Sequence, residues 1–226
     1  TTGLTGMRIR NSAVYYPYYF YNCSNLPDGE VEDYVVNIVP KPATDLGATI
    51  VTAPSYNSYA CADAVTTVSA TIFNFGSATA SNFYVYATYS GPATGTIYTH
   101  YTGTINSLSS GTITIGTINP PLGGTYRLLV YTVLSGDTIN INDTAFSSFN
   151  MYGLPDRPTL KPDTVCPGHD AIIGIVSAPH LNYRWYTAPN GGSYFYTDTT
   201  MTLYSLSADT LFYVTAVDPG TGCESI

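Results

Sequence analysis

Between residues 41 and 154 the chain repeats one pattern: a short run in which apolar and hydroxyl-bearing side chains alternate, then a break of Gly, Pro, Asn, Asp or Ser. The runs are Ala48 to Val51, Val65 to Phe73, Asn82 to Tyr89, Thr96 to Ile105, Thr112 to Ile118, Tyr126 to Leu134 and Ala145 to Met151. Breaks such as Asn74-Phe75-Gly76-Ser77, Ser90-Gly91-Pro92, Asn119-Pro120-Pro121 and Ser135-Gly136-Asp137 separate them. A period of two suits a pleated, half-buried strand, and about seven strands at this spacing make a two-sheet sandwich. In one run Phe83, Val85, Ala87 and Tyr89 share an apolar face, and Leu128, Val130 and Leu134 offer a matching one. Two such faces are expected to meet in a core. Helices are not expected, because the residues that solvate helical faces are scarce: Glu occurs only at 30, 32 and 224 and Lys only at 41 and 161. The fold class is all-β.

Three modules follow from the punctuation. Residues 1–40 hold Met7-Arg8-Ile9-Arg10 in strand-like alternation, a tyrosine-laden loop and a second run through Val31, Val36 and Ile38. Two strands are marginal alone, so this module reads as incomplete. Pro40 and Pro42 mark a linker into residues 41–154. After Leu154-Pro155-Asp156-Arg157-Pro158, residues 155–226 carry strand-like runs at Ala171 to Val176, Tyr183 to Tyr186, Ser193 to Tyr196 and Leu211 to Val217, with the single tryptophan, Trp185, mid-strand.

Charge excludes several functions. Seven basic against fifteen acidic residues and a pI near 4.4 leave no cationic stripe for phosphate, which argues against nucleic acid and anionic membrane surfaces. No apolar run approaches a membrane span, so direct membrane insertion is not expected. The opening Thr1-Thr2-Gly3-Leu4 lacks a secretory leader, so a leader is expected to have been removed or the chain to be an internal piece of a longer one.

Enzyme chemistry finds little material. His100, His169 and His180 are isolated, and none lies at metal-ligand spacing or in a nucleophile motif. Cys166 with His169 is the one close thiol–imidazole pair, an idea that fails if Cys166 is bridged. The four cysteines lie too far apart for a Cys-x-x-Cys site. Cys166 and Cys223 bracket one compact segment and are expected to pair, with buried free thiols as the alternative. Cys23 and Cys61 fall in different modules, and their pairing stays open. Asp28, Glu30, Glu32 and Asp33 gather enough oxygen ligands to suggest calcium. Yet no calcium loop is present, and the competing expectation is that these acids pair with Arg8 and Arg10 across a hairpin. Otherwise no cofactor is implied. For Asp137, Asn140, Asn142 and Asp143, side-chain to backbone bonds are expected. Tyr15, Tyr16, Tyr18, Tyr19 and Tyr21 cannot all be buried in one loop. Exposed rings serve protein contacts or stack on surface glycans, of which a protein contact is preferred.

The residues Gly29-Glu30-Val31-Glu32-Asp33-Tyr34, preceded by Met7-Arg8-Ile9-Arg10, resemble the end of the GEVED domain, a β module of secreted Bacteroidetes proteins. Val68 to Gly76, with Ser135-Gly136-Asp137 and Asn142-Asp143-Thr144, resemble the CARDB family of adhesion-related sandwiches. Cys166-Pro167-Gly168, Trp185-Tyr186, Pro189-Asn190-Gly191-Gly192 and Tyr213-Val214 through Cys223 resemble the immunoglobulin-like repeats of large Bacteroidetes surface proteins. In immunoglobulin domains a strand tryptophan packs on an inter-sheet disulfide. The expected architecture is therefore tandem immunoglobulin-like β-sandwiches with the first module incomplete. The resemblances imply a secreted or cell-surface protein exported by the type IX route, whose sorting domain is not part of this sequence. Thr138, Thr144, Thr164, Thr199 and Thr210 each follow an aspartate and match the Bacteroidetes O-glycosylation signal.

These readings point to a non-catalytic structural or adhesive protein of a bacterial surface, built as a stalk or filament. Its expected partners are neighbouring modules or identical subunits joined by β-augmentation. The alternative is an accessory, carbohydrate-binding region of a secreted hydrolase.

Overall fold

The computed structural model describes residues 3–12, 29–176 and 178–226, and every element in it is a β-strand. Among the described residues there is no helix, and so none long and apolar enough to cross a membrane. The chain divides into two compact units, Thr1–Ala43 and Thr44–Ile226.

In the first unit, β1 (Gly3–Ser12) pairs antiparallel with β2 (Gly29–Ile38), from Gly3 opposite Ile38 to Ser12 opposite Gly29. That register sets Arg8 opposite Asp33, and the guanidinium grips the carboxylate through Nε (2.5 Å) and Nη2 (2.8 Å). The arginine lowers the Asp33 carboxyl, chiefly by hydrogen bonding, which with its charge outweighs the opposing effect of desolvation. Both partners are more than half exposed, so the pair fixes register more than it stabilises. Leu4, Ile9, Val35 and Ile38 lie open on the ribbon.

The second unit begins with a two-layer sandwich. One layer orders β3 (Leu46–Ala53), β5 (Thr66–Asn74) and β8 (Ser110–Ile118). The other orders β4 (Ser58–Cys61), β10 (Thr144–Tyr152), β9 (Gly124–Val133), β6 (Ala80–Ser90) and β7 (Gly95–Ile105). The alternation in sequence becomes alternation in space: Phe83, Val85 and Ala87 are buried while Tyr84 points out. The two apolar sets read from the sequence do enter one core, but side by side. Strands β6 and β9 are hydrogen-bonded neighbours with Ala87 opposite Val130, so their apolar faces line the same layer. Val68, Ala70 and Ile72 of β5 and Ile113 and Ile115 of β8, buried in the same cluster, come from the other layer. Sequence alternation gives the face of a strand but not its sheet.

Asn74 ends β5 wholly buried and ties the layers together. Its Nδ2 donates to the carbonyls of Ala78 and Ile105, each at 2.8 Å, and its Oδ1 accepts from the Gly76 N–H at 2.9 Å.

The remaining module stacks β11 (Thr159–Lys161), β12 (His169–Val176) and β14 (Thr200–Leu206) against a pair, β13 (Asn182–Tyr186) and β15 (Tyr213–Val217). Trp185, 2% exposed, packs among Ile175, Tyr183, Met201 and Ala216, and its Nε1 donates to the Asp198 carbonyl at 2.7 Å. The run Ser193 to Tyr196 is not a strand; only Tyr196 bridges to Trp185. Two glycines just before it, Gly191 and Gly192, have positive φ and turn the chain away from any ladder.

Candidate functional site

The chain leaves the first sandwich through β10 and enters the last module at β11. At that crossing β4 runs parallel to β10, with Cys61 beside Tyr152. The period of two that puts Tyr59 on the outer face, stacked on Tyr152 at 5.1 Å, puts Cys61 on that face as well. Beyond β15 the chain turns at Asp218. The Gly222 N–H donates to the Asp218 carbonyl and the Gly220 N–H to the Asp218 carboxylate. The chain then returns along β15, so that Glu224 bridges Val217. The turn delivers Cys223, fully buried, to Cys61, and the two form a disulfide with Cα atoms 5.5 Å apart.

This corrects the expected pairing of Cys166 with Cys223, and it removes Cys61 as a partner for Cys23, which lies outside the described residues. Cys166 is exposed and free. The reason is polarity within the module. Cys166 precedes His169, where β12 starts, whereas the linker strand β11 meets the far end of β12, with Thr159 opposite Val176. Cys223 belongs to the linker pole, so Cys166 lies about 20 Å away along β12, beyond any disulfide span. For the same reason Trp185 packs on Ile175, Tyr183, Met201 and Ala216 rather than on a disulfide.

The returning segment is held by Glu224. Its carboxylate accepts from Arg184 Nη1 (2.6 Å), Tyr186 Oη (2.5 Å) and Thr215 Oγ1, while Arg184 lies over the Tyr194 ring, 4.9 Å from its centre. Burial alone would raise the Glu224 carboxyl, but those three hydrogen bonds and the arginine charge outweigh it and hold it below its ordinary value. Ser225 adds a backbone bond to Ala216, which returns one to the Ser225 hydroxyl. Beside the bridge, linker residues 153–159 and Val176, His180, Tyr183, Ala216 and Asp218 line an open cleft of about 560 Å³.

A second polar cluster sits where β3 passes the loop before β10. Asp137 accepts from the N–H groups of Leu46 (2.7 Å) and Ile139 (3.0 Å), and Asn142 donates to Asp45 at 2.7 Å. Side-chain to backbone bonding therefore governs Asp137, as its turn position suggests. A Cβ at Gly47 would meet the Asn142 carbonyl at 2.5 Å, so the close approach requires glycine there. Asp143 is pushed up to about 6, first by burial and then by the charges of Asp137 and Asp45. A raised acid binds its proton more tightly folded than unfolded. Its penalty is therefore absent below its unfolded value near 3.8 and grows as pH rises to about 6. Thermal melts should show Asp143→Asn stabilising the protein at pH 7.5 by roughly 2–6 °C and having no such effect at pH 4.

The other sequence candidates are dispersed. Of the four acids weighed for calcium, Asp33 is engaged by Arg8, Glu32 accepts from Tyr34, and Asp28 lies outside the described residues, as does the Glu30 side chain. Among the described residues no three His, Cys, Asp or Glu side chains gather as a metal site. Tyr15, Tyr16, Tyr18, Tyr19 and Tyr21 also lie outside the described residues. Thr138, Thr144, Thr164 and Thr210 are exposed, while Thr199 is half-buried beside Asp198. His100 on β7 bonds Asn82 at 2.7 Å and stacks on Tyr84. The His169 N–H donates to the Cys166 carbonyl, a backbone turn.

Sequence reading missed one aromatic feature, a row across the outer face of the larger layer. Tyr98, Tyr86 and Tyr131 occupy β7, β6 and β9 in register, with ring centres 5.3 and 5.0 Å apart. Tyr86 and Tyr131 are nearly parallel, so their faces cover one another and their edges and hydroxyls meet solvent. The signal was present as Tyr at alternate positions of separate runs, but register across strands is needed to assemble it.

A family model described as an Ig-like domain, CHU_C associated, matches residues 155–226, in agreement with the all-β, Ig-like fold of this span. Among solved structures the chain is similar to the CARDB domain of a Pyrococcus furiosus protein in solution, at 13% identity over 49% of this chain and 96% of that one, TM-score 0.38. The same domain crystallised in complex with di-metal ions is 12% identical over 52% and 100%, TM-score 0.38. Three FN domains of chicken CNTN1 are 10% identical over 84% and 67%, TM-score 0.28. No curated protein matches the chain.

Proposed function

We propose that this chain is a non-catalytic structural segment of a bacterial surface protein, a stretch of stalk or filament made of β modules. The observation that supports it is the Cys61–Cys223 disulfide, which joins the first sandwich to the returning end of the Ig-like domain. Such a bond persists in oxidising surroundings and is rare where thiols are kept reduced. It spans two modules rather than closing one, so its effect is to fix how one sandwich follows the next. The supposed division at residues 1–40, 41–154 and 155–226 fits that reading, with the β4, β10 and β15 ends as the joint. O-linked sugars at the exposed Asp-Thr sites would add solubility to a surface poor in charge.

Location is tested by labelling intact cells with a maleimide that cannot cross membranes, followed by peptide mapping. The expected result is modification of Cys166 without lysis, and of Cys61 and Cys223 only after reduction. Labelling of all three only in lysates, without reductant, would overturn the proposal.

A further inference from the structure

Strand β7 closes one side of the larger layer and, among the described residues, pairs only with β6. It is eleven residues long and carries neither proline nor a formal charge. Its outward side chains Thr96, Tyr98, His100, Thr102 and Thr104 are exposed, and its inward ones Ile97, Thr99 and Tyr101 are only half-buried. Soluble proteins blunt such edges with lysines, prolines, bulges or short strands. Here, apart from one register irregularity where Ser81 and Phe83 of β6 meet Thr104 and Tyr101, none of these is present, and no Asp, Glu, Lys or Arg occurs between Asp63 and Arg127, a stretch that includes β5, β6, β7 and β8. Because β8 is the edge of the smaller layer and packs alongside β7, the whole flank is uncharged on a chain of net charge -8.

We propose that this flank is the surface by which two copies of the chain associate, β7 adding antiparallel to β7 of the second copy about a two-fold axis at His100. Three features select that occupant. Two molecules that each carry a large negative charge approach with least repulsion along their uncharged sides. The strand is self-complementary about His100: Thr96 falls opposite Thr104, Tyr98 opposite Thr102 and Ile97 opposite Gly103. Each residue thereby meets one of the same facing, so both copies keep apolar side chains inward and hydroxyls and rings outward. Threonine–threonine and aromatic–threonine neighbours across strands are favourable pairs. The joined layers make one continuous sheet of ten strands, and the half-buried Ile97 and Tyr101 gain cover from the added strand. The inference is independent of the stalk reading, since it concerns only this flank.

Sedimentation equilibrium of the full chain tests it. A reversible dimer is expected, weakened at least about tenfold by T96K/T104K, which sets like charges opposite at both ends of the pairing. The variant T96K/T104E places opposite charges at the same two contacts and should restore dimerisation to within about threefold of the original. With Cys23 and Cys166 replaced by serine, His100→Cys should give a reducible covalent dimer, because directly opposed residues stand about 4.5 or 5.5 Å apart at Cα, within disulfide reach. Circular dichroism of each variant verifies that it is folded. A chain that stays monomeric up to millimolar concentration would overturn the proposal. So would a dimer equally strong in T96K/T104K and T96K/T104E, or one that His100→Cys does not cross-link.

Discussion

Pulled from its two ends under oxidising conditions, the chain should lengthen far less than its residue count allows, and adding a reductant should release roughly 550 Å more. The reason is connectivity. Cys61 and Cys223 are separated by 162 positions in sequence and joined covalently. Tension entering before Cys61 therefore crosses the bond and leaves after Cys223, bypassing nearly all of the first sandwich and the Ig-like domain. Between Thr44 and Ile226 only β3, β4 and the last few residues can be drawn out, roughly 70 Å of chain. Single-molecule force spectroscopy reads this directly, with Cys61→Ser/Cys223→Ser as the control that should stretch fully without reductant. Equal extension with and without reductant would show that these cysteines are not paired. The same variant should melt lower, since closing a loop of this length is worth about 5 kcal/mol in the chain-entropy model.

The second large effect is expected at Asn74. Replacing it with alanine removes two donors and one acceptor at once: the buried Ile105 carbonyl loses this donor, whereas the Ala78 carbonyl belongs to an exposed residue and the Gly76 N–H keeps the Asp45 carbonyl. At about 1 kcal/mol for each lost bond and somewhat more for the buried carbonyl, the loss should reach roughly 2–4 kcal/mol. For a unit of this size that corresponds to a fall in melting temperature of about 5–12 °C. Asn74→Asp keeps the acceptor for Gly76 but turns a carboxylate oxygen toward two carbonyls, so it should be at least as damaging near neutral pH. Calorimetry on both variants checks the pair; a melting temperature within about 2 °C of the original for Asn74→Ala would show that the hydrogen bonds carry no net stability.

Much of the strand content was legible because period-two alternation is a local signal. The runs ending at Phe73, Tyr89, Ile105, Ile118 and Met151 coincide with β5, β6, β7, β8 and β10 to within a residue or two at that end. Strands β4, β11 and β14 were not seen. The first two span four and three residues, too short to display alternation, and β14 offers only Met201 and Leu203 inward before Ser205 breaks it with a positive φ. The disulfide was misread for a different cause. Bracketing in sequence says which module two cysteines flank, but not at which pole each emerges, and pole is what decides whether thiols meet. Asn74 was noticed as part of a turn signal, and nothing local to it reveals that its amide reaches Ile105. The tyrosine row and the uncharged flank likewise exist only once β6, β7 and β9 are placed in register.

The parallel seating of β4 against β10 also sets a timetable for making the protein. Residues 58–61 have no sheet to join until residues 149–152 exist, and the sulfur of Cys61 has no native mate until the chain has been made through Cys223. During synthesis and transit Cys23 and Cys61 appear before Cys166 and Cys223, and the shorter loop between them closes at lower entropic cost. Correct maturation thus calls for an oxidant or an isomerase acting late, after the Ig-like module has folded, and it makes the finished crosslink a chemical record that both modules were made and folded.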